Sequence, residues 1–331
     1  MRIAIVKLSA LGDIVHAMVV LQFIKNFNKE ISIDWIVEES YKDLLDSHPD
    51  INKVHLINIK QAKDNKSLPA LISEIKKVRK LSPYDLVVDM QGLLKSALIS
   101  RIIPSKVTLG FDKYSSRESI SSFFYNQTFN YDYKKNIIER NLAIIKFALG
   151  IKSNINIIEK KVPFLYSSQD YFVKDFSAVK KNIIFILGAS YKSKCYPVKN
   201  LAELTKLFDA NYIAIWGDAN ERKMADELKY LSPAVNICEK LSIDSIITLI
   251  SKADLLIGPD TGPTHMAWAL DIPSITIFGP TPGFRNTLET KINKIIESDS
   301  IVDSKKINKN DDSIKNIKVN DIFKIVCSLL N

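Results

Sequence analysis

Cysteine is scarce in this sequence: Cys195, Cys238 and Cys327 are the only three in 331 residues, widely spaced and odd in number. A disulfide framework is thereby excluded, and no spacing suggests a zinc site. No apolar run reaches the ~18 residues of a membrane-spanning helix. The chain opens directly on a strand pattern, Met1-Arg2-Ile3-Ala4-Ile5-Val6, with no basic-then-apolar leader before a cleavage site. A cytoplasmic protein is expected. Neither G-x-G-x-x-G nor G-x-x-x-x-G-K-[ST] occurs, which argues against a dinucleotide enzyme and a P-loop NTPase.

What is present is ordinary for a globular protein, with 46% hydrophobic and 25% charged residues, and the length suits two domains. The formal charge of +9 is unevenly spread, since residues 51–110 hold eleven Lys/Arg against four Asp/Glu. Lys60, Lys63, Lys66, Lys76 and Lys77 belong to this stretch. A basic face suits an anionic partner, either a phosphorylated lipid surface or a nucleic acid. The alternative is a solvated lysine surface. No aromatic-interleaved or arginine-rich motif accompanies the charge, so nucleic acid is not expected as a partner.

Hydrophobic patterning predicts an α/β fold of two doubly wound halves. Strands are expected at Arg2 to Lys7, Ile31 to Glu38, Lys53 to Ile57 and Tyr84 to Asp89, with helices between them. After a polar segment around Lys160 to Lys181 the alternation restarts. Its strands are Asn182 to Leu187, Asn211 to Trp216, Asp254 to Ile257 and Ser274 to Phe278. Strand–helix alternation at this spacing implies parallel sheets covered on both faces. The expected domains are residues 1–165 and 166–331, Rossmann-like and facing each other across a cleft. From Lys291 the chain reads as polar until a terminal helix, Val319 to Leu330, which has the option of packing back on the first domain.

Four strand-end loops carry candidate chemistry. In Lys7 to Asp13 a carboxylate follows the first strand where a helix opens, and the helix N-terminus favours its ionised form. Asp13 is then either a base at a cleft rim or an ordinary helix cap. Gly258-Pro259-Asp260-Thr261-Gly262-Pro263-Thr264-His265 joins small residues, hydroxyls, an acid and a histidine just before a helix, a composition that suits a diphosphate. In Gly188 to Lys194, a lysine beside a hydroxyl can neutralise a leaving phosphate, or is a plain surface lysine. In Trp216 to Glu221, Glu221 can accept hydrogen bonds from a ribose, while Asp218 or Asn220 can simply cap a helix. No acidic pair at D-x-D spacing sits beside a nucleotide-type loop, so a metal is not required; no cofactor is expected.

Together these segments resemble the bacterial ADP-heptose:lipopolysaccharide heptosyltransferases, inverting enzymes of the GT-B fold. Ile5 to His16 is similar to the family's K-x-S-x-x-G-D-x-x-H pattern. Asp260-Thr261-Gly262-Pro263-Thr264-His265, with Phe278-Gly279-Pro280-Thr281 downstream, is similar to its D-T-G-x-x-H pattern. Asp34 to Glu39, Asp89 to Ser96, Arg117-Glu118 and Phe124-Tyr125-Asn126 look like the acceptor-side motifs of the branch that adds the first heptose to the Kdo of Kdo-lipid A. The resemblance implies Asp13 as base and an ADP-heptose donor held by Ser190, Lys194, Glu221, Asp260, Thr261, Gly262 and His265. It also implies Lys7, Ser9, Gly12, Gln91 and Arg117 toward the Kdo-lipid A acceptor. The expected enzyme is a monomer in peripheral contact with the cytoplasmic face of the inner membrane. The chain departs from the family at Ala189-Ser190, which offers one hydroxyl instead of a pair, and at Cys195-Tyr196-Pro197, where x-Trp-Pro is commoner. Alternatives are transfer of the second heptose and a non-catalytic nucleotide-sugar-binding protein.

Overall fold

The computed structural model describes residues 1–152, 161–168 and 174–330. Part of the polar segment around Lys160 to Lys181 therefore lies outside the described residues. The chain divides into two compact units, Met1–Phe164 and Leu165–Asn331.

In the first unit, β1 (Arg2–Val6), β2 (Ser32–Glu38), β3 (Lys53–Ile57), β4 (Tyr84–Asp89), β5 (Ser105–Phe111) and β6 (Gln127–Phe129) form a parallel sheet. Its order is β3-β2-β1-β4-β5-β6. The central strand β1 is covered on both faces, so Ile3, Ala4, Ile5 and Val6 are all fully buried and read as one unbroken apolar run. Ala4, Val6, Ile36, Val87 and Ile99 pack together beneath one helical layer. Winding reverses between β1 and β4, and in such sheets ligands bind outside the carboxyl ends of the strands at that point.

The second unit repeats the plan. Here β7 (Asn182–Ile186), β8 (Asn211–Ile215), β9 (Val235–Ile237), β10 (Leu255–Pro259), β11 (Ser274–Phe278) and β12 (Asn293–Glu297) run parallel in the order β12-β11-β10-β7-β8-β9. The reversal falls between β7 and β10. Phe185 stacks on Tyr212 at 5.2 Å between ring centroids within the core.

The structure corrects the sequence reading in places. Strands β5, β6, β9 and β12 join the sheets beyond those expected, and β12 lies in the tail that reads as polar from Lys291. The terminal helix Val319–Leu330 packs against helix Val198–Leu207 and buries Ile322 and Val326 in the core of the second unit.

Candidate active site

At the reversal point of the first unit, the loops after β1 and β4 hold each other. The buried Lys7 side chain donates from Nζ to the Met90 carbonyl at 3.1 Å, and Leu8 N–H donates to Gln91 Oε1 at 2.7 Å. Ser9 Oγ accepts from Gln91 Nε2 at 3.4 Å and from Lys95 Nζ at 3.2 Å. Lys95 also lies 3.7 Å from Glu38, a buried carboxylate at the end of β2. Lys7, Ser9 and Gln91 are thus brought together. Lys95 and Glu38 join them without having been singled out individually in the sequence.

The Gln91 turn is set from below. Asp89 is fully buried and accepts Gln91 N–H at 2.8 Å, Gly92 N–H at 3.1 Å and the Tyr125 hydroxyl at 2.8 Å. Burial pushes the Asp89 carboxyl upward, and these donors oppose the shift. Gly92 has φ +68°, a left-handed conformation that costs glycine little. Asp89 and Tyr125 therefore act on the motif's geometry from inside the unit.

Gly12 and Asp13 lie in the first turn of helix Leu11–Met18. Asp13 is exposed, and its carboxylate accepts Ala10 N–H at a long 3.4 Å. A contact of that length is a weak cap, which leaves the carboxylate available at the mouth of the loop. Arg117 is exposed on the loop after β5, next to Glu118, which accepts Leu94 N–H at 2.7 Å. Asp34, quoted within an acceptor-type motif, instead sits toward the amino end of the sheet. There it accepts from Tyr84 at 2.6 Å and Asn52 at 2.8 Å and pairs with Arg2 at 3.3 Å. Its part is to join β1, β2 and β4.

In the second unit Asp260 is the hub. Its buried carboxylate lies 2.8 Å from Lys194 Nζ and 3.0 Å from His265 Nε2, and it accepts from Thr281 at 2.8 Å and Asn286 at 3.2 Å. Burial alone would raise its pKa, but the Lys194 ammonium and His265 hold it far below the usual carboxylate range. The ionised carboxylate pins Lys194 beside Thr261, the N-cap residue of helix Gly262–Ala269, whose side chain makes no capping bond. A fixed ammonium next to a helix N-terminus is suited to phosphate oxygens. Thr281 is the role missed in Phe278-Gly279-Pro280-Thr281, and its position after the neighbouring strand β11 was the available signal. Asn286 carried none.

Ser190 is exposed, and with Glu221 it borders a cavity of about 750 Å³ whose walls include Gly188, Tyr196 and Met224; the Lys194–Asp260 pair is not part of that lining. Asp218 is the helix cap, accepting Asn220 N–H at 2.8 Å and Glu221 N–H at 2.9 Å. That frees the Glu221 side chain for another task. It lies over Gly188, where an added Cβ would come within 1.9 Å of Glu221 Oε1, and it accepts Gly217 N–H at 2.6 Å.

Residues 72–315 match the family model described as glycosyltransferase family 9 (heptosyltransferase). The chain is 40% identical to lipopolysaccharide heptosyltransferase 1 of Campylobacter coli, over 99% of each chain. It is 27% identical to the enzyme of the same name from Escherichia coli K12, over 86% of this chain and 89% of that one. The solved structure of E. coli heptosyltransferase WaaC with ADP superposes with a TM-score of 0.82 at 24% identity, covering 99% of this chain and 100% of that chain. Two Rossmann-like units with polar loops at the carboxyl ends of their strands, together with the likeness to this structure, give the GT-B fold. Within that class, the chain belongs to glycosyltransferase family 9, the heptosyltransferases, and its relatives place it with heptosyltransferase I rather than II.

Proposed function

We propose that the chain transfers L-glycero-D-manno-heptose from ADP-heptose to the Kdo of Kdo-lipid A with inversion. The full-length likeness to lipopolysaccharide heptosyltransferase 1 of C. coli carries this reading. In the mechanism, Asp13 takes the proton from a Kdo hydroxyl while its oxygen attacks the anomeric carbon of the heptose. The bond from that carbon to the ADP oxygen breaks, and the electron pair leaves with ADP. Lys7, Ser9, Gly12, Gln91 and Arg117 orient the acceptor. Lys194 has spare N–H donors beyond the one spent on Asp260, and they meet the charge growing on the leaving phosphate. Thr261 and the Gly262 amide hold the diphosphate, Ser190 and Glu221 hold the nucleoside side, and His265 keeps Asp260 in place.

The acceptor is lipid-linked, and among the described residues no helix is long and apolar enough to cross a membrane. In this reading the enzyme works as a monomer in surface contact with the cytoplasmic face of the inner membrane. Incubation with ADP-heptose and de-acylated Kdo-lipid A, followed by mass spectrometry, tests the reaction. A product one heptose heavier is expected. Transfer only to an acceptor that already carries a heptose would overturn this reading in favour of the second-heptose enzyme.

A further inference from the structure

The loop between β5 and β6 contains a 3-10 segment, Ser119–Phe124. With three residues per turn, side chains three apart eclipse, so Ile120 and Phe123 stand one above the other. They are 53% and 81% exposed, while Ser121 between them is fully buried. The segment packs against helix Leu94–Ile102, which adds an exposed Leu98. Tyr114, earlier in the same loop, is 70% exposed and carries the Lys113 ammonium 4.9 Å above its ring.

Charge around these side chains is net positive, three cations against the two carboxylates Asp112 and Glu118. Lys113, Arg117 and Arg101 are exposed. The acids beside them are engaged with the protein: Glu118 takes Leu94 N–H, and Asp112 takes Tyr114 N–H, Ser115 N–H and the Asn130 amide. An apolar ridge with an aromatic flank and a cationic rim matches the boundary between headgroups and acyl chains of an anionic bilayer. We propose that Ile120 and Phe123 form a wedge that inserts into an anionic lipid surface, with Lys113, Arg117 and Arg101 against its headgroups. The proposal deepens the functional reading by naming the element through which the enzyme reaches a lipid-linked acceptor, and its test reads lipid contact without turnover.

The full chain is mixed with vesicles of phosphatidylethanolamine containing one part in four phosphatidylglycerol. A Phe123→Trp variant should show blue-shifted emission on binding and be quenched by brominated acyl chains. The Ile120→Ser/Phe123→Ser variant should partition ~10-fold or more weakly, and should lose the residual binding that survives high salt. Its transfer to a de-acylated acceptor should stay at the level of the original chain, which also shows that it is folded. Absence of vesicle binding by the original chain, no quenching of the Trp reporter, or unchanged partitioning of the double variant overturns the wedge. So does a concentration-dependent dimer that the two serines dissociate, because the ridge would then belong to a protein interface. Quenching without transfer to the de-acylated acceptor leaves the wedge standing and removes the functional reading.

Discussion

A carboxylate at the third position of a short helix commonly closes its own first turn. At Asp13 that contact is stretched to 3.4 Å on an exposed side chain. A base needs this: a carboxylate oxygen not already committed and open to a substrate hydroxyl. Asp13→Ala should therefore lower turnover by at least ~100-fold and leave ADP affinity near that of the original chain. Near-normal turnover in a single-turnover assay would remove Asp13 from the mechanism. His48 poses a different question at the same scale. The ring is buried, accepts Asp50 N–H at Nδ1 at 3.1 Å, and is held down to about 4 by burial, with a backbone hydrogen bond at Phe164 opposing. Because the folded pKa lies below the unfolded one, stability is fully present above pH ~6.5 and drains away as pH falls toward 4. Thermal melts should show that loss over this window, on the order of 2–3 kcal/mol, and His48→Gln should flatten it. A variant whose melting temperature falls with pH as steeply as the original would assign the effect elsewhere.

Among the elements, the stretch around Ile314 acts as a strap on the Lys194 loop. Ile314 packs in the core and sits where a Cβ on Gly279 would come within 2.8 Å, while Ser193 O approaches the same point at 3.3 Å. Tyr196, just beyond Lys194, donates its buried hydroxyl to Ile317 O at 2.7 Å. The tyrosine in Cys195-Tyr196-Pro197, a departure when read in the sequence, is thus a hydrogen bond between loop and strap. Tyr196→Phe leaves the Ile317 carbonyl buried and unpaired, a cost of ~1–3 kcal/mol, and loosens the seat of Lys194. The donor kcat/KM should fall several-fold, with kcat sharing in the loss because Lys194 meets charge that grows in the transition state, and Tyr196→Trp, which keeps an N–H donor, should recover part of it. Equal kinetics for all three chains would mean that the strap does not position the loop. The same elements show what a sequence can reveal. β1, β4, β7 and β10 lie inside their sheets and are covered on both faces, so they stand out as apolar runs. β6 and β9 are three-residue edge strands, and β12 is an edge strand whose Asn-Lys-Ile-Ile-Glu reads as tail. The strand-end loops were visible because small and polar residues crowd into them. The partners that fix them come from other elements, Thr281 and Asn286 on Asp260 and Lys95 and Glu38 beside Ser9; Thr281, Lys95 and Glu38 stand within quoted motifs, but which residue each one meets follows no local pattern.

For the molecule as a whole, the net charge of +9 acts through where it is displayed. Lys60 and Lys63 lie on helix Ile59–Asp64, Lys66 just after it, and Lys76 and Lys77 on helix Leu68–Arg79, and all five are exposed. The two helices pack on each other, so the lysines form one neighbourhood of the first unit. Lys77 is partly spent on Glu74 at 2.6 Å, a carboxylate that is itself buried, which leaves the other four as the less committed charges. Near an anionic membrane each lysine contributes ~1 kcal/mol, an attraction that fades within a Debye length. Replacing Lys60, Lys63, Lys66 and Lys76 with Gln should weaken vesicle binding at low salt and flatten its salt dependence, since fewer lysine counter-charges are at stake. It should leave transfer to a de-acylated acceptor intact, because none of the four belongs to the loops around Asp13 or Asp260. The effect differs in kind from loss of Ile120 and Phe123, which removes the salt-resistant part of binding. If the quadruple variant titrates with salt as the original chain does, the lysines are a solvated surface with no part in membrane attraction.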